Sequence, residues 1–412
     1  MDKTFYMENR RALYERIEDD ALAVVYSGSA PRRTNDEYYP FFADRSFLYL
    51  TGVDQAGAIL MGEGEGSDAL YIPPPDERWE RWNGERVKAC AAADISGADS
   101  IKYTDEFLRD FDRKIGTGAY TAVYLPLFKY TADESDNAAY GLARYVKDRY
   151  PHIVIKDLMP HIKALRLIKK PCEIAAMRKA EALTRDGIVA MMRAARPGMM
   201  EYELRAEFDY ALMKQGVAPG FPAIISAGKN NFCIHYHGRG GAALDGDMVL
   251  NDVGAVHDNI VTDVSRGWPV NGRFNDRQRA LYQCAFDTCT HIFGLIKPGM
   301  PMGDVDSIIR KYNYERLKDI GLCKSWDDIG TYMWHGGAHH VGFDVHDVVG
   351  ITNDTPLAPG MVFCVDVGIY VEDWGIGFRL EDNCLVTENG CENLSAAIPR
   401  SIDEIEAVVG KG

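Results

Sequence analysis

The chain has no apolar run near the roughly 18 residues that a membrane-spanning helix needs. Its first residues, MDKTFYMENRR, are charged and have no apolar core, so they are not expected to act as a secretory signal. Cations are in deficit: 46 Lys and Arg stand against 61 Asp and Glu, a net charge of −15. Nucleic acid and anionic membrane are therefore not expected partners, since both select for clustered Lys and Arg. The nine cysteines are odd in number and contain no CxxC pair. A disulfide framework is not expected; a reduced, cytoplasmic chain is. Cys364 and Cys384 fall in strand-like runs and read as small core hydrophobes. HExxH and GxSxG are missing as well, so neither motif assigns the chemistry. GRGGAA (Gly238 to Ala243) fits G-x-G-x-x-A, but no helical pattern follows, so it reads as a loop and not as a dinucleotide site.

What is present is organised in two parts. At 412 residues the chain is long for one domain and comfortable for two. Short strand-like runs (LAVVYSG, AILMG, ALYIPP, YTAVYLP, HIVIKDL) alternate with helical stretches such as NRRALYERIED and DNAAYGLARYVKDRY. This predicts an α/β domain over residues 1–160 with a partly parallel sheet. Pro160 and Pro171 then punctuate a basic connector, and a long helix is expected from about Cys172 to Ala195. Residues 161–412 form the second domain, and it repeats itself. Pro197-Gly198-Met199 between two helical stretches recurs as Pro298-Gly299-Met300, and Met248-Val249 opening a hairpin recurs as Met361-Val362. Two halves of the form helix, helix, hairpin, related by a pseudo-twofold, account for that order.

Each hairpin carries acids where a strand should be apolar. With a turn near His257-Asp258, Asp252 would face Asp263; with a turn near Asp373-Trp374, Asp366 would face Glu381. Like charges opposed across strands are destabilising, and burial makes them worse. Two repairs exist: the acids share protons, or cations sit among them. Two divalent ions would neutralise four carboxylates. Four of the ten histidines (His335, His339, His340 and His346) cluster in HGGAHHVGFDVHD, and one of them is expected to add a nitrogen ligand.

With these residues in place the chain resembles the pita-bread metallopeptidases, and within them aminopeptidase P and prolidase. RTNDEYYPFFADRSFLYLTG is similar to the N-terminal signature of aminopeptidase P. FPAIISAG…IHYH, NDVGAVHDNIVTDVSRGWPVNG, HGGAHHVGFDVHD and RLEDNCLVTENG match the catalytic blocks in order. The resemblance implies an α/β N-terminal domain joined to an α+β pita-bread catalytic domain. It implies metal ligation by Asp252, Asp263, His339, Asp366 and Glu381, with Asp366 also the general base. It puts His235, His335 and His346 on the substrate side, with His235 and His346 taking part in catalysis, and leaves His340 structural. The implied cofactors are two divalent ions, for which oxygen ligands with one nitrogen favour Mn²⁺ over Co²⁺, Fe²⁺ or Zn²⁺. The implied reaction is hydrolysis of the peptide bond before proline by a hydroxide bridging the two metals. The peptide would carry proline at its second position. The implied assembly is a homo-oligomer, a dimer or tetramer, with Trp82 reaching a neighbour's prolyl pocket. The ERWERW stretch around Trp79 and Trp82, taken without the resemblance, reads as packing.

Three departures from the family pattern stand out. Glu-Pro-Gly becomes Asp366-Val367-Gly368, FRQ becomes Phe41-Phe42-Ala43, and TRTFP becomes Ser265-Arg266-Gly267-Trp268-Pro269. The shorter Asp366 leaves a creatinase-like hydrolase of small C–N bonds without metal standing; a non-catalytic binding relative is a third reading, which loss of ligands would signal, and here all five positions can still coordinate.

Overall fold

The computed structural model describes residues 1–238 and 240–412. The chain divides into two units, Met1–Leu165 and Arg166–Gly412.

In the first unit the five expected strands are Ala21–Tyr26, Ile59–Glu63, Asp68–Ile72, Ala122–Leu125 and Val154–Asp157. They share one sheet with a sixth, Ser100–Tyr103, which sequence periodicity did not reveal. That strand is four residues long and only partly buried, so it shows no clear alternation. Ala21–Tyr26 lies between an antiparallel partner, Ile59–Glu63, and a parallel one, Ala122–Leu125. The partly parallel sheet follows from helices placed between strands: Ala138–Arg149, for example, starts where the Asn137 side chain accepts from two backbone N–H groups. The helices cover the sheet through a core that includes Val24, Tyr71, Phe111 and Val146.

The second unit is the duplication. Helices Pro171–Ala194 and Glu201–Met213 precede strands Met248–Val253 and Val264–Pro269. Helices Asp276–Phe293 and Met302–Asp319 precede strands Val362–Val371 and Ile376–Thr387. Gly198 and Gly299 turn the same corner in the two halves, with φ of 86° and 85°, a conformation that costs glycine nothing. The four hairpin strands are buried nearly throughout, around Trp268, Phe363 and Phe378.

Register separates the halves. In the second hairpin the ladder runs unbroken from Val362 against Leu385 to Val371 against Ile376, and Asp366 pairs with Glu381 as expected. In the first hairpin Asp252 pairs with Ser265, not with Asp263. The turn lies one residue later than expected: Asp258 and Asn259 both adopt positive φ, 49° and 65°, and His257 pairs with Ile260. Two consecutive left-handed residues make the primed turn that matches strand twist, and Asx residues tolerate it. Moving the turn by one residue moves every partner by two. The side-chain period is also two, so Asp263 keeps its face and becomes a diagonal neighbour of Asp252.

Candidate metal centre

One cavity of about 220 Å³ collects most of the expected residues. Asp252, Asp263, His235, His335, His339, His346, Asp366 and Glu381 line it, with Arg379. Strand alternation explains the convergence. Asp366 and Glu381 are cross-strand partners, and Arg379 lies two residues before Glu381 on the same face. His339 arrives on a three-residue edge strand, Ala338–His340, that pairs with Val362–Val371. Its Nε2 lies 3.2 Å from Glu381 Oε1 and 3.5 Å from Asp263 Oδ2.

Asp263, Asp366 and Glu381 are buried and Asp252 is half-buried, and the three aspartates are held from one side only. Asp252 accepts from Arg379 Nη2 at 2.8 Å, Asp366 from His335 Nδ1 at 3.1 Å, and Glu381 from the Ser265 hydroxyl at 2.8 Å. The second oxygens of Asp252, Asp263 and Asp366, all Oδ1, are buried without a hydrogen-bond partner. One shared proton would satisfy two such atoms; three oxygens around one cavity fit a cation set better. The electrostatics agree. Burial, then the charges of Glu381 and Asp252, push the Asp263 carboxyl well above its ordinary range. Glu381 is pushed up by burial and by Asp366. Asp366 goes the other way: burial would raise it, but the His335 charge and hydrogen bond, with Arg379, outweigh that and lower it.

The histidines divide by environment. His346 is pushed down to about 4 by burial and by the charge of His339, whose ring it meets edge-on at 4.5 Å. His335 Nε2 lies 3.0 Å from the Tyr370 hydroxyl, and Gly368 permits that approach, since a Cβ there would come within 2.2 Å of the imidazole. His340 turns away and meets the Val362 carbonyl at 3.3 Å.

Four participants escaped sequence reasoning. Arg379 neutralises Asp252 and also donates to Tyr370 and to the Ile234 carbonyl. The i−2 spacing from Glu381 was the available signal. Ser265, noted only as a departure, holds Glu381. Its neighbours explain the rest of that departure. Arg266 faces the other way and pairs with Asp382 at 2.7 Å, both fully buried. Gly267 leaves room for Phe378, which a Cβ would meet at 2.5 Å. Asp347 anchors the His346 loop on Arg166 and Lys169, at 2.6 and 3.0 Å. Cys364, read as a core hydrophobe, sits cross-strand from His339. Its sulfur and donor atoms of Asp263, His339 and Glu381 all lie within 4.8 Å of one another. Trp82 belongs to the first unit, on helix Glu77–Asn83, where its side chain is 84 % exposed. The packing reading of Trp82 is thereby corrected: no residue of that helix is buried, so Trp82 has no core of its own unit to enter.

A duplicated fold that gathers carboxylates and histidines around one cavity, with the His339 imidazole among the acids, fits a metal-dependent hydrolase. The chain belongs to metallopeptidase family M24, whose profile matches residues 175–388. The profile of the aminopeptidase P N-terminal domain matches residues 6–124. The chain is 29 % identical to the Xaa-Pro aminopeptidase of Escherichia coli strain K12, over 98 % of this chain and 97 % of that protein. A Bacillus anthracis structure assigned provisionally as an aminopeptidase P superposes with a TM-score of 0.96 at 34 % identity. That match covers 99 % of this chain and 98 % of the other. Zinc-substituted E. coli aminopeptidase P with bound product superposes at 0.90 and 28 % identity, over 99 % and 98 %.

Proposed function

We propose that this chain is a metallo-aminopeptidase that hydrolyses the peptide bond between an N-terminal residue and proline. Two divalent ions would be held by Asp252, Asp263, His339, Asp366 and Glu381. The observation that carries this reading is the set of three buried, unpartnered carboxylate oxygens around one cavity. The Xaa-Pro aminopeptidase relatives support the substrate class.

Divalent ions in this centre would supply Lewis acidity and an activated water. The remaining work falls to the chain. Asp366, with one oxygen held by His335 and the other unpartnered, would accept a proton from the attacking water. His235 lines the same cavity and would donate to the oxygen that becomes negative in the transition state. His346 stays neutral at physiological pH and can orient the substrate without adding charge. Beside His335, the half-buried Trp334 ring stacks on the buried Tyr370 ring at 4.5 Å, and its outer face would offer an apolar wall for a prolyl ring. The oxygen-rich donor set favours Mn²⁺, while the nearby Cys364 sulfur brings Zn²⁺, Co²⁺ and Fe²⁺ within reach. The first unit would build a homo-oligomer in which the exposed Trp82 serves a neighbouring copy; full activity of a monomer at micromolar concentration, by light scattering, would remove that part.

The test is metal analysis of protein purified without chelator, paired with a screen of Xaa-Pro dipeptides and longer Xaa-Pro peptides with added Mn²⁺. Two ions per chain and cleavage before proline are expected. Asp252→Asn and His339→Ala should each lose most of both. Full activity in either variant would overturn the ligand assignment, and metal-free hydrolysis of small C–N bonds would favour a creatinase-like reading.

A further inference from the structure

The glycine-rich stretch read as a loop has a partner in the fold. It wraps a buried carboxylate, Glu201, at the start of helix Glu201–Met213. Glu201 Oε1 accepts from the Ala227 backbone N–H at 2.9 Å and from Asn230 Nδ2 at 2.8 Å. Its Oε2 accepts from the Tyr236 hydroxyl at 2.8 Å and from the Gly241 backbone N–H at 2.9 Å. The Glu201 backbone N–H donates in turn to the Gly241 carbonyl at 2.9 Å. Four donors from four points along one segment converge on a single side chain, and His235 lies inside that segment.

The segment has little else to define it. After the short turn Gly228–Phe232, no residue from Cys233 to Gly241 belongs to a helix or strand among the described residues. His235 is itself exposed. Arg379 donates to the Ile234 carbonyl at 3.2 Å, and the buried Asn231, four residues before His235, donates to the Met248 and Gly377 carbonyls. Gly241 is required for the wrap, since a Cβ there would stand 2.4 Å from Asn230 Nδ2 and 2.5 Å from Glu201 Oε1.

We propose that Glu201 is a positioning residue that fixes His235 against the metal centre by clamping the segment on both sides of it. The proposal rests on the proposed role of His235. A carboxylate suits this clamp, because only a group with four lone-pair sites and no donor can take all four N–H and O–H groups. In Glu201→Gln the amide NH₂ would face one of these donors, so at least one bond is lost and the loop is released without emptying the space.

The experiment is a double-mutant cycle on the metal-loaded enzyme with an Xaa-Pro peptide, reading kcat and KM separately, with metal content and Tm alongside. His235→Ala should lower kcat by on the order of 10²–10³-fold, the scale of a lost transition-state donor. Glu201→Gln should lower kcat about tenfold with metal content unchanged, and Gly241→Ala should do the same by pushing the loop from its other end. In the His235→Ala background, Glu201→Gln should cost less than about twofold, because the two act through one contact. Additive losses would overturn the proposal and make Glu201 merely structural, as would a lower Tm with kcat intact. If His235→Ala alone leaves kcat unchanged, the role of His235 fails first and the positioning role with it. If the metal is lost in Glu201→Gln, the carboxylate supports the centre and not His235, which also refutes it.

Discussion

The two hairpins that build the centre descend from one pattern but hold their acids differently. In the second, Asp366 and Glu381 face each other in an unbroken ladder of ten residue pairs. In the first, Asp263 falls in a gap between short strands, diagonal to Asp252. The direct pair is repaired mostly from its own half, by His335 on Asp366 and by His339 on Glu381, with Ser265 of the first hairpin adding a bond to Glu381. The diagonal pair is repaired from the other half, by Arg379 on Asp252, while burial and its acidic neighbours push the Asp263 carboxyl well above its ordinary range. A duplication can therefore keep the face on which an acid stands while leaving its neighbours free to differ.

The largest test of that difference is at Asp366. Asp366→Ala should remove ligand and base together and lower kcat on the order of 10²–10⁴-fold, with one metal lost. Asp366→Glu should also lose activity, because the rigid ladder cannot yield to an added methylene and overpacking costs roughly 1–3 kcal/mol. Wild-type turnover with both metals in Asp366→Ala would show that Asp366 is neither ligand nor base.

Stability comes next. Ser265 and Arg266 reach across to Glu381 and Asp382 on opposite faces of the strands, so Arg266–Asp382 staples hairpin to hairpin behind the site. Asp382→Asn should destabilise the catalytic unit by about 3–5 kcal/mol in denaturant unfolding, as removal of one partner from a buried pair does. A change under about 1 kcal/mol would mean that the halves are joined by packing alone.

A smaller effect is a slope. Burial pushes Glu181, on helix Pro171–Ala194, up to about 8, against the pull of its Ser395 hydrogen bond. The folded value lies above the unfolded value of about 4.3. Its contribution is thus fully present below about pH 4.3 and is lost as pH rises toward and through about 8. Glu181→Gln should flatten unfolding free energy against pH over that window by up to about 1.4 kcal/mol per unit. An unchanged slope would contradict the neutral carboxyl.

The smallest effect lies at the turn that set the first register. Asn259→Gly should leave stability within about 0.5 kcal/mol, since glycine also accepts the left-handed conformation, whereas Asn259→Val should cost more. Equal tolerance of both would separate the register from the turn.

The sequence was most legible where a period or a repeat could be counted. The helices and the strands of the duplication follow from periodicity, and Asp366 faces Glu381 because a ladder needs only its turn located. The first hairpin was misread because Asp258 and Asn259 look like ordinary polar residues until their φ is known. Arg379 and Cys364 were missed for another reason. Their meaning depends on a strand from elsewhere in the chain, and only the face they occupy was readable. The Glu201 clamp was hidden further, since its four donors share no spacing.

The sheet edge bears on time. His339 sits on a three-residue strand there, bonded to a single neighbour, while Glu381 lies deep in a twelve-residue strand. Short edge segments open with far less free energy than central ones. If His339 ligates a metal as proposed, its imidazole would be the donor that lets go first, and ion exchange would run at the rate of that strand's fraying and not at the rate of global unfolding. Residence time at the centre becomes a property of Ala338–His340, open to adjustment without touching a single carboxylate.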